Sequence, residues 1–331
     1  NVPVGVLAVL LAAFVQKEWK NQTRSPFDWQ GFAAIVLFMP LAIYALARGN
    51  SPSNPGGWSA PEVIGCFIVA GAALAWFIVA ELRNPAPLLQ IRLLAERNFG
   101  ISMAVLTLFA IGMLGGTYLL PLYMQRGLGY TALAAGSMFL PVGVIQGVLS
   151  AVSGYLTRYV RPLLLSAAGI LIMALSFWLA SRFTLHTTHG HILFILYLRG
   201  FGMGLTFAPL NLFSLKNLTQ QDMAAAAGIS NSIKQLAGSI GIALLTVIFS
   251  ARTSYHAAHE TVSAAQTYVE GVTDALRVVA VITLAALLPL LGVFRKKRPG
   301  KSGVKGAATP SPGEAVSGKT DKTTIYRTKP E

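Results

Sequence analysis

The chain has 331 residues, of which 54% are hydrophobic and only 11% are charged. Ordinary soluble domains carry roughly 25% charged residues, so this composition excludes a soluble globular protein and predicts a polytopic membrane protein. The single cysteine, Cys66, excludes a disulfide within the chain and leaves no cysteine framework for a metal or redox centre.

The net charge of +14 is concentrated at one end of the chain. Residues 295–331 hold ten basic and three acidic side chains, so half of the net charge lies in this segment, which is rich in Lys, Gly, Ser, Thr and Pro. No aromatic platform or nucleic-acid motif accompanies the basic residues. The pattern therefore indicates a disordered cytoplasmic tail beside anionic lipid, and argues against a nucleic-acid surface.

Apolar runs recur along the chain at lengths that suit a bilayer core of about 30 Å. The first run, residues 2–15, is shorter than the roughly 20 residues that a span needs. It has neither an initial Met nor a charged flank, and it predicts the end of a helix whose beginning has been cut away. Eight full-length runs follow, at residues 30–47, 63–82, 101–124, 133–156, 163–181, 192–215, 226–251 and 276–294.

Basic residues in the short loops predict the orientation of these spans. Nine Lys or Arg residues fall on the side that also carries the tail, and four fall on the opposite side. Cytoplasmic loops carry the excess of basic residues, so the C-terminus is predicted to be cytoplasmic and residue 1 to lie on the outer side.

Composition divides the chain into four parts. We predict the end of a helix at 1–16, two spans with their connectors at 17–97, a six-span bundle at 98–294 and the basic tail at 295–331. The fold class is accordingly all-α and membrane-spanning.

Glycine and proline residues inside the spans predict close helix packing and kinks. In lipid such residues are tolerated because neighbouring helices satisfy the backbone and small side chains let helices approach closely. The predicted packing residues are Gly112, Gly116, Pro121, Gly136, Pro141, Gly143, Gly147, Gly200, Gly204, Pro209, Gly238 and Gly241.

Polar residues inside two spans are candidates for function. Asn231, Lys234 and Gln235 share one helix face with Gly238 and Gly241. Such a face is expected to look toward a cavity or a partner helix, because lipid would leave its polar groups unpaired. Lys234 also lies near the cytoplasmic end of its span, close enough for its ammonium group to reach the lipid headgroups.

Arg199 lies about eight residues into its span, roughly 12 Å deep at 1.5 Å per residue, which is too central for easy snorkelling. Two interpretations remain open for it. One is a cavity-lining or interbundle pairing role, and the other is a bonded arginine that holds helices together.

Acidic residues and histidines fall outside the spans in this pattern. The acids, Glu270 and Asp274 among them, are placed in loops or at span ends, so no span is predicted to carry a central carboxylate. His256 and His259 are placed in a solvated outer loop. Two histidines without a third convincing ligand do not indicate a metal site.

Four segments together carry a family resemblance. They are the stretch YLLPLYMQRGLGYTALAAGSMFLP at 118–141, the stretch RGFGMGLTFAPL at 199–210, the stretch AAAAGISNSIKQLAGSIGIALLTVIFSA from residue 224 and the opening NVPVG. Together they resemble the drug:proton antiporter group of the major facilitator superfamily, in particular its fourteen-span multidrug exporters. The resemblance implies that the chain corresponds to the family from its sixth span onward. It also implies that the two spans within 17–97 are an inserted pair and that 98–294 is the C-terminal six-helix bundle.

The resemblance further implies alternating access around a substrate cavity between two bundles, with protons as the coupling ion and no other cofactor. The coupling carboxylate is then expected in the part of the family that precedes this chain. The expected partners are membrane lipids and hydrophobic small molecules, with no nucleic acid. In a double-membraned bacterium the location would be the inner membrane, and a periplasmic adaptor and an outer-membrane channel join the expected partners.

On this basis we predict two groups of pathway residues. Arg199, Asn231, Lys234 and Gln235 are predicted to line the pathway or the interbundle face. Weaker candidates for contacts with a large apolar substrate are Tyr118, Tyr123, Gln125, Met203 and Phe207. No catalytic motif is present, so an enzyme is not expected. The alternative function is a non-transporting membrane scaffold or partner subunit.

Overall fold

A computed structural model describes residues 2–15, 28–49, 54–84, 91–220, 222–259 and 263–295. The predicted tail beyond Arg295 lies outside the described residues. Within the described ranges the α-helices are α1 (Val2–Val15), α2 (Trp29–Gly49), α3 (Pro61–Arg83), α4 (Arg97–Leu122), α5 (Ala132–Ser137), α6 (Leu140–Leu156), α7 (Pro162–Ala180), α8 (His189–Leu215), α9 (Met223–His259), α10 (Ala264–Ala285) and α11 (Leu287–Arg295).

Eight segments of the described chain are long and apolar enough to cross a membrane. The segments include one built from α5 and α6 and one built from α10 and most of α11. Each of them overlaps one of the eight apolar runs in the sequence, which confirms the predicted all-α, multi-pass membrane fold. Residues 2–15 form a helix as predicted, and its described side chains are exposed, Phe14 to 86%.

The six-span bundle packs around α8 and α10. Helix α8 lies between α6 and α7, while α10 contacts α4, α7 and α9, and α4 packs along α9. These contacts bury a continuous apolar core that includes Phe99, Phe109, Phe177 and Leu245. Helices α2 and α3 pack mainly on each other over a small core of their own, and α2 also contacts α9.

The last two long helices extend beyond the predicted spans. Helix α9 has 37 residues, about 55 Å at 1.5 Å per residue, and continues to His259. Helix α10 begins at Ala264, twelve residues before the predicted span. The placements of Asp274 at a span end and of His256 in an outer loop are therefore wrong, because both residues lie inside helices. Acidic and basic side chains of α9 and α10 neutralise one another, as described below. This pairing explains why both helices extend into polar sequence.

Six of the predicted packing glycines lie where two helices approach closely. A Cβ atom at Gly241 would lie 2.8 Å from Ile111 Cα, one at Gly204 would lie 2.6 Å from Leu149 Cβ and one at Gly200 would lie 3.1 Å from the Val142 carbonyl oxygen. Added Cβ atoms at Gly112, Gly116 and Gly238 would overlap the side chains of Thr283, Phe177 and Leu114. A side chain at any of these six positions would therefore force a neighbouring atom to move.

The other predicted glycines and the prolines have different surroundings. An added Cβ atom at Gly136, Gly143 or Gly147 would meet no atom within 4 Å among the described residues. Pro121 lies near the end of α4, directly before a single π-helical turn at Tyr123–Gly127. Pro141 lies in the first turn of α6, where its missing N–H is tolerated, and Pro209 lies inside α8.

Candidate functional site

An open cavity of about 270 Å³ lies where α4, α8 and α9 meet. Its lining includes Leu106 from α4, Phe207, Asn211 and Leu215 from α8, and Ala227, Ser230, Asn231 and Lys234 from α9. The apolar residues come mostly from α4 and α8, whereas α9 supplies most of the polar groups. This composition, apolar walls with a few converging polar side chains, is typical of small-molecule sites.

Lys234 supplies the one ionisable side chain among the residues that line the cavity. It is half-buried, and no carboxylate pairs with it within the described part of the chain. Asn231, one turn earlier on the same helix, is exposed to the cavity. No described hydrogen bond occupies the side-chain amides of Asn211 and Asn231. The cavity therefore presents one cation and two amide groups to a ligand.

The apolar wall is held in place by aromatic packing. Phe207 is half-buried, and its ring makes an edge-to-face contact with Phe109 at 5.5 Å between ring centroids. Met203 lies one turn earlier on α8, where it packs against the main core and is not part of the cavity lining. Phe207 is thus both a core residue and a wall of the cavity.

The predicted polar face of α9 continues from the cavity into a helix contact. Gln235 is exposed beside Lys234 and does not line the cavity. One turn later, Gly238 packs against Leu114 of α4, and Gly241 follows against Ile111. The close α4–α9 contact therefore forms one closed boundary of the cavity.

Arg199 occupies a different environment from Lys234. It is only 2% exposed and donates from Nη2 to the Met113 carbonyl oxygen at 3.1 Å and to Thr117 Oγ1, both on α4. Its guanidinium carbon lies 5.5 Å from the centroid of the Phe177 ring on α7. Gly116 gives that ring its space. Through these contacts Arg199 joins α4, α7 and α8, while its Nε and Nη1 atoms are buried without a hydrogen-bond partner among the described residues. Both interpretations of Arg199, as a bonded arginine and as an interbundle residue, therefore stay open.

The three remaining weaker candidates lie at the other end of α4. Tyr123 is fully buried, donates its hydroxyl to the Thr184 carbonyl oxygen at 2.7 Å and stacks on Phe183. Tyr118 and Gln125 are exposed. The structure does not bring these three residues to the cavity at Lys234.

A cluster of charges joins the C-terminal part of α9 to α10. Asp274, 9% exposed, accepts from Arg252 Nε at 2.7 Å, from Arg277 Nη1 at 2.7 Å and lies 3.0 Å from His256 Nε2. His256 Nδ1 also lies 3.5 Å from Glu270 Oε2. The described residues contain no group of three or more His, Cys, Asp or Glu side chains arranged to hold a metal. The acidic and basic side chains of the cluster therefore neutralise one another.

Glu96 caps the start of α4. Its side chain accepts from the Phe99 N–H at 2.6 Å and from Asn217 Nδ2 at 3.0 Å, so it joins α4 to the segment after α8. Burial tends to raise the pKa of Glu96, but these hydrogen bonds outweigh it and hold the pKa below the ordinary glutamate value.

Two groups of functional candidates escaped sequence reasoning. Asn211 and Ser230 line the cavity. The available signal was a polar residue inside an apolar span at helical spacing, because Asn211 follows Phe207 by four residues and Ser230 precedes Lys234 by four. Asp274 was missed as a helix residue because its acidic neighbourhood lowers hydropathy.

A protein-family model described as the Major Facilitator Superfamily matches residues 5–242. The chain belongs to the Major Facilitator Superfamily. It is 31% identical to the multidrug export protein EmrB of Escherichia coli over 265 residues, which cover 80% of this chain and 51% of EmrB. It is 29% identical to an uncharacterised transporter of this superfamily, YhcA of Bacillus subtilis, over 77% of this chain and 47% of that protein.

A third relative is the fatty acid resistance protein FarB of Neisseria gonorrhoeae, 28% identical over 77% of this chain and 50% of that protein. This major facilitator chain thus spans about half the length of the curated relatives that it matches. The matches confirm the resemblance to the multidrug exporters of the superfamily. The superfamily is one of membrane transporters, which are not enzymes.

Proposed function

We propose that this chain forms the C-terminal part of a proton-coupled exporter that moves drugs or other hydrophobic compounds across the cell membrane by alternating access. The observation that carries the proposal is the cavity between α4, α8 and α9, with its apolar walls and the polar groups at Asn211, Asn231 and Lys234. Family membership and the names of the relatives support export as the activity.

The cavity suits one part of a larger binding site. Its volume of about 270 Å³ lies just below the range of roughly 300–1,000 Å³ that holds a drug-sized ligand. A rocking-bundle transporter places its substrate between two repeats near the middle of the membrane. We propose that the cavity holds one end of the substrate while the remainder of the complete protein contacts the other end.

Proton coupling needs a titratable group whose protonation favours one conformation over another. Asp274 is matched by three basic side chains, so the coupling group is proposed to lie outside the described residues. The proposal also includes a cytoplasmic C-terminus and location in the inner membrane of a double-membraned bacterium, with a periplasmic adaptor and an outer-membrane channel as partners there.

The test uses the complete gene product reconstituted in proteoliposomes with a pH-sensitive dye inside. We expect addition of a hydrophobic drug to produce a proton flux opposite to drug movement, and collapse of the pH gradient to stop export. A membrane scaffold or partner subunit would give no drug-dependent flux with any compound of a panel that includes neutral, cationic and anionic drugs. That result would reject the exporter proposal.

A further inference from the structure

We infer that the cavity between α4, α8 and α9 selects amphipathic organic anions, with Lys234 binding the anionic head. This inference rests on the proposed function, because it names the substrate class of the same cavity. It begins from the charge of the described lining residues, among which Lys234 is the one ionisable group and no acidic side chain takes part.

The polar groups around Lys234 suit an anionic head. The amides of Asn211 and Asn231 each offer two N–H donors and have no described side-chain partner. The hydroxyl of Ser230 donates to the Ala226 carbonyl oxygen at 2.7 Å, so its own proton is already used. A carboxylate, sulfonate or phenolate would accept hydrogen bonds from the ammonium group and the amides. An organic cation would meet the positive charge of Lys234 with no carboxylate to offset it.

The apolar wall of the cavity favours a ligand whose remaining part is apolar. Leu106, Phe207 and Leu215 face the same cavity from α4 and α8, and the edge-to-face contact with Phe109 restrains the Phe207 ring. A charge attracts more strongly where water is partly excluded, and these side chains exclude it on one side of the head. The favoured ligand is therefore an anion joined to a flat or aliphatic apolar body.

Lys234 differs in this respect from three other basic residues of the bundle. Arg199 is buried and donates to Met113 and Thr117, and Arg252 and Arg277 donate to Asp274. Lys234 is half-buried at a cavity and has no described acidic partner. Its charge is thus available to a ligand.

The experiment measures binding of three probes that share a pyrene body and a short alkyl linker but carry a carboxylate, a neutral amide or an ammonium head. The complete gene product is purified in a neutral detergent, and dissociation constants are obtained from fluorescence anisotropy. We expect the carboxylate to bind more tightly than the amide by about tenfold or more, the effect of a charged hydrogen bond, and the ammonium probe to bind most weakly.

Substitutions assign the preference to Lys234. Lys234→Gln is expected to abolish the difference between carboxylate and amide, Lys234→Arg to retain it and Lys234→Glu to reverse the order of carboxylate and ammonium probes. Lys216→Gln is the matched control, because Lys216 is an exposed lysine at the end of α8 and does not line the cavity. It should keep the wild-type order. Unchanged affinity of Lys234→Gln for the neutral amide probe shows that its loss of preference does not come from misfolding.

Four results would overturn the inference. The first is that the wild-type protein binds the ammonium probe as tightly as the carboxylate probe or more tightly. The second is that Lys234→Gln keeps the wild-type preference for the carboxylate over the amide. If the protein exports neutral or cationic drugs in the flux assay and yet shows no preference for the carboxylate, the inference fails while the proposed function stands. If it binds none of the probes and transports no drug, both fail together.

Discussion

Two basic side chains inside the same bundle have opposite surroundings. Arg199 is 2% exposed, donates to two groups on α4 and lies over the Phe177 ring. Lys234 is half-buried, faces an open cavity and pairs with no acid among the described residues. The difference separates two uses of a cation in a membrane protein. A buried cation bonded to a neighbouring helix joins helices, whereas a cation at the edge of a cavity is available to a ligand.

Substitution of the buried arginine, Arg199, is expected to have the largest effect on stability. Arg199→Ala removes the bonds to α4 and opens a cavity beside Phe177, so we expect the free energy of unfolding to fall by about 3 kcal/mol. Arg199→Met refills most of the volume and should recover more than half of that loss. Unfolding by a denaturing detergent measures both, with Lys216→Ala as the exposed control. Normal stability of Arg199→Ala with selective loss of transport would instead assign Arg199 to the pathway.

The second prediction extends the comparison to a buried acid. Asp274→Asn removes the charge that accepts from Arg252 and Arg277, and we expect a loss of about 2 kcal/mol, since hydrogen bonds to charged groups are worth about 1.5–3 kcal/mol. Glu62→Gln is the control, because Glu62 pairs with Arg48 at 2.8 Å with both side chains substantially exposed. Exposed pairs contribute roughly 0–1 kcal/mol. Equal effects of the two substitutions would show that burial does not distinguish these acids.

The third prediction concerns the closed boundary of the cavity. Gly241→Ala introduces a Cβ atom 2.8 Å from Ile111 Cα, so we expect the α4–α9 contact to lose about 1–2 kcal/mol through overpacking. Gly147→Ala on α6 meets no atom within 4 Å among the described residues. Because Ala favours a helix over Gly by up to about 1 kcal/mol, that control should be neutral or slightly stabilising. Thermal unfolding in one detergent compares the pair, and the opposite order would contradict the packing described for α9.

The smallest expected effect lies at the predicted cytoplasmic side. Glu96→Gln weakens the cap of α4 and the bond to Asn217, and we expect a loss of up to about 1 kcal/mol at pH 7. Because folding lowers the pKa of Glu96 below the ordinary value of 4.5, the wild-type stabilisation is fully present above pH 4.5 and is lost as the pH falls through the lowered folded-state pKa. Unfolding midpoints of both proteins should therefore converge in acid. A constant difference at every pH would show that the charge of Glu96 does not matter.

The sequence predicts the spans well because a run of about 20 apolar residues has few alternatives in a bilayer. The prediction fails at the start of α10, because Glu270 and Asp274 lower the hydropathy there. In the structure this segment is helical and is bonded to α9. The sequence also leaves Arg199 undecided. A polar residue on an inward face gives the same pattern whether that face meets a cavity or another helix, so the contacts with Met113 and Phe177 could not be predicted from the sequence.

Glycines show the same limit. Gly143 and Gly241 look alike as small residues inside spans, yet only Gly241 has a neighbouring backbone at its Cα. Spacing along one helix identifies which residues share a face, but the identity of the partner helix depends on the whole arrangement of the bundle. The cavity at Lys234 has the same origin, because its walls come from three helices that are distant in sequence.

Water access to α9 tests the central claim most directly. In a complete gene product with Cys66 replaced by Ser, Asn231→Cys is treated with a membrane-impermeant thiol reagent, and Thr206→Cys, at a fully buried position on α8, is the control. The proposed pathway predicts rapid labelling at 231 that slows when an exported compound is added, and little labelling at 206. Equal reactivity at the two positions, or labelling at 231 that an exported compound leaves unchanged, would contradict a substrate pathway through this cavity.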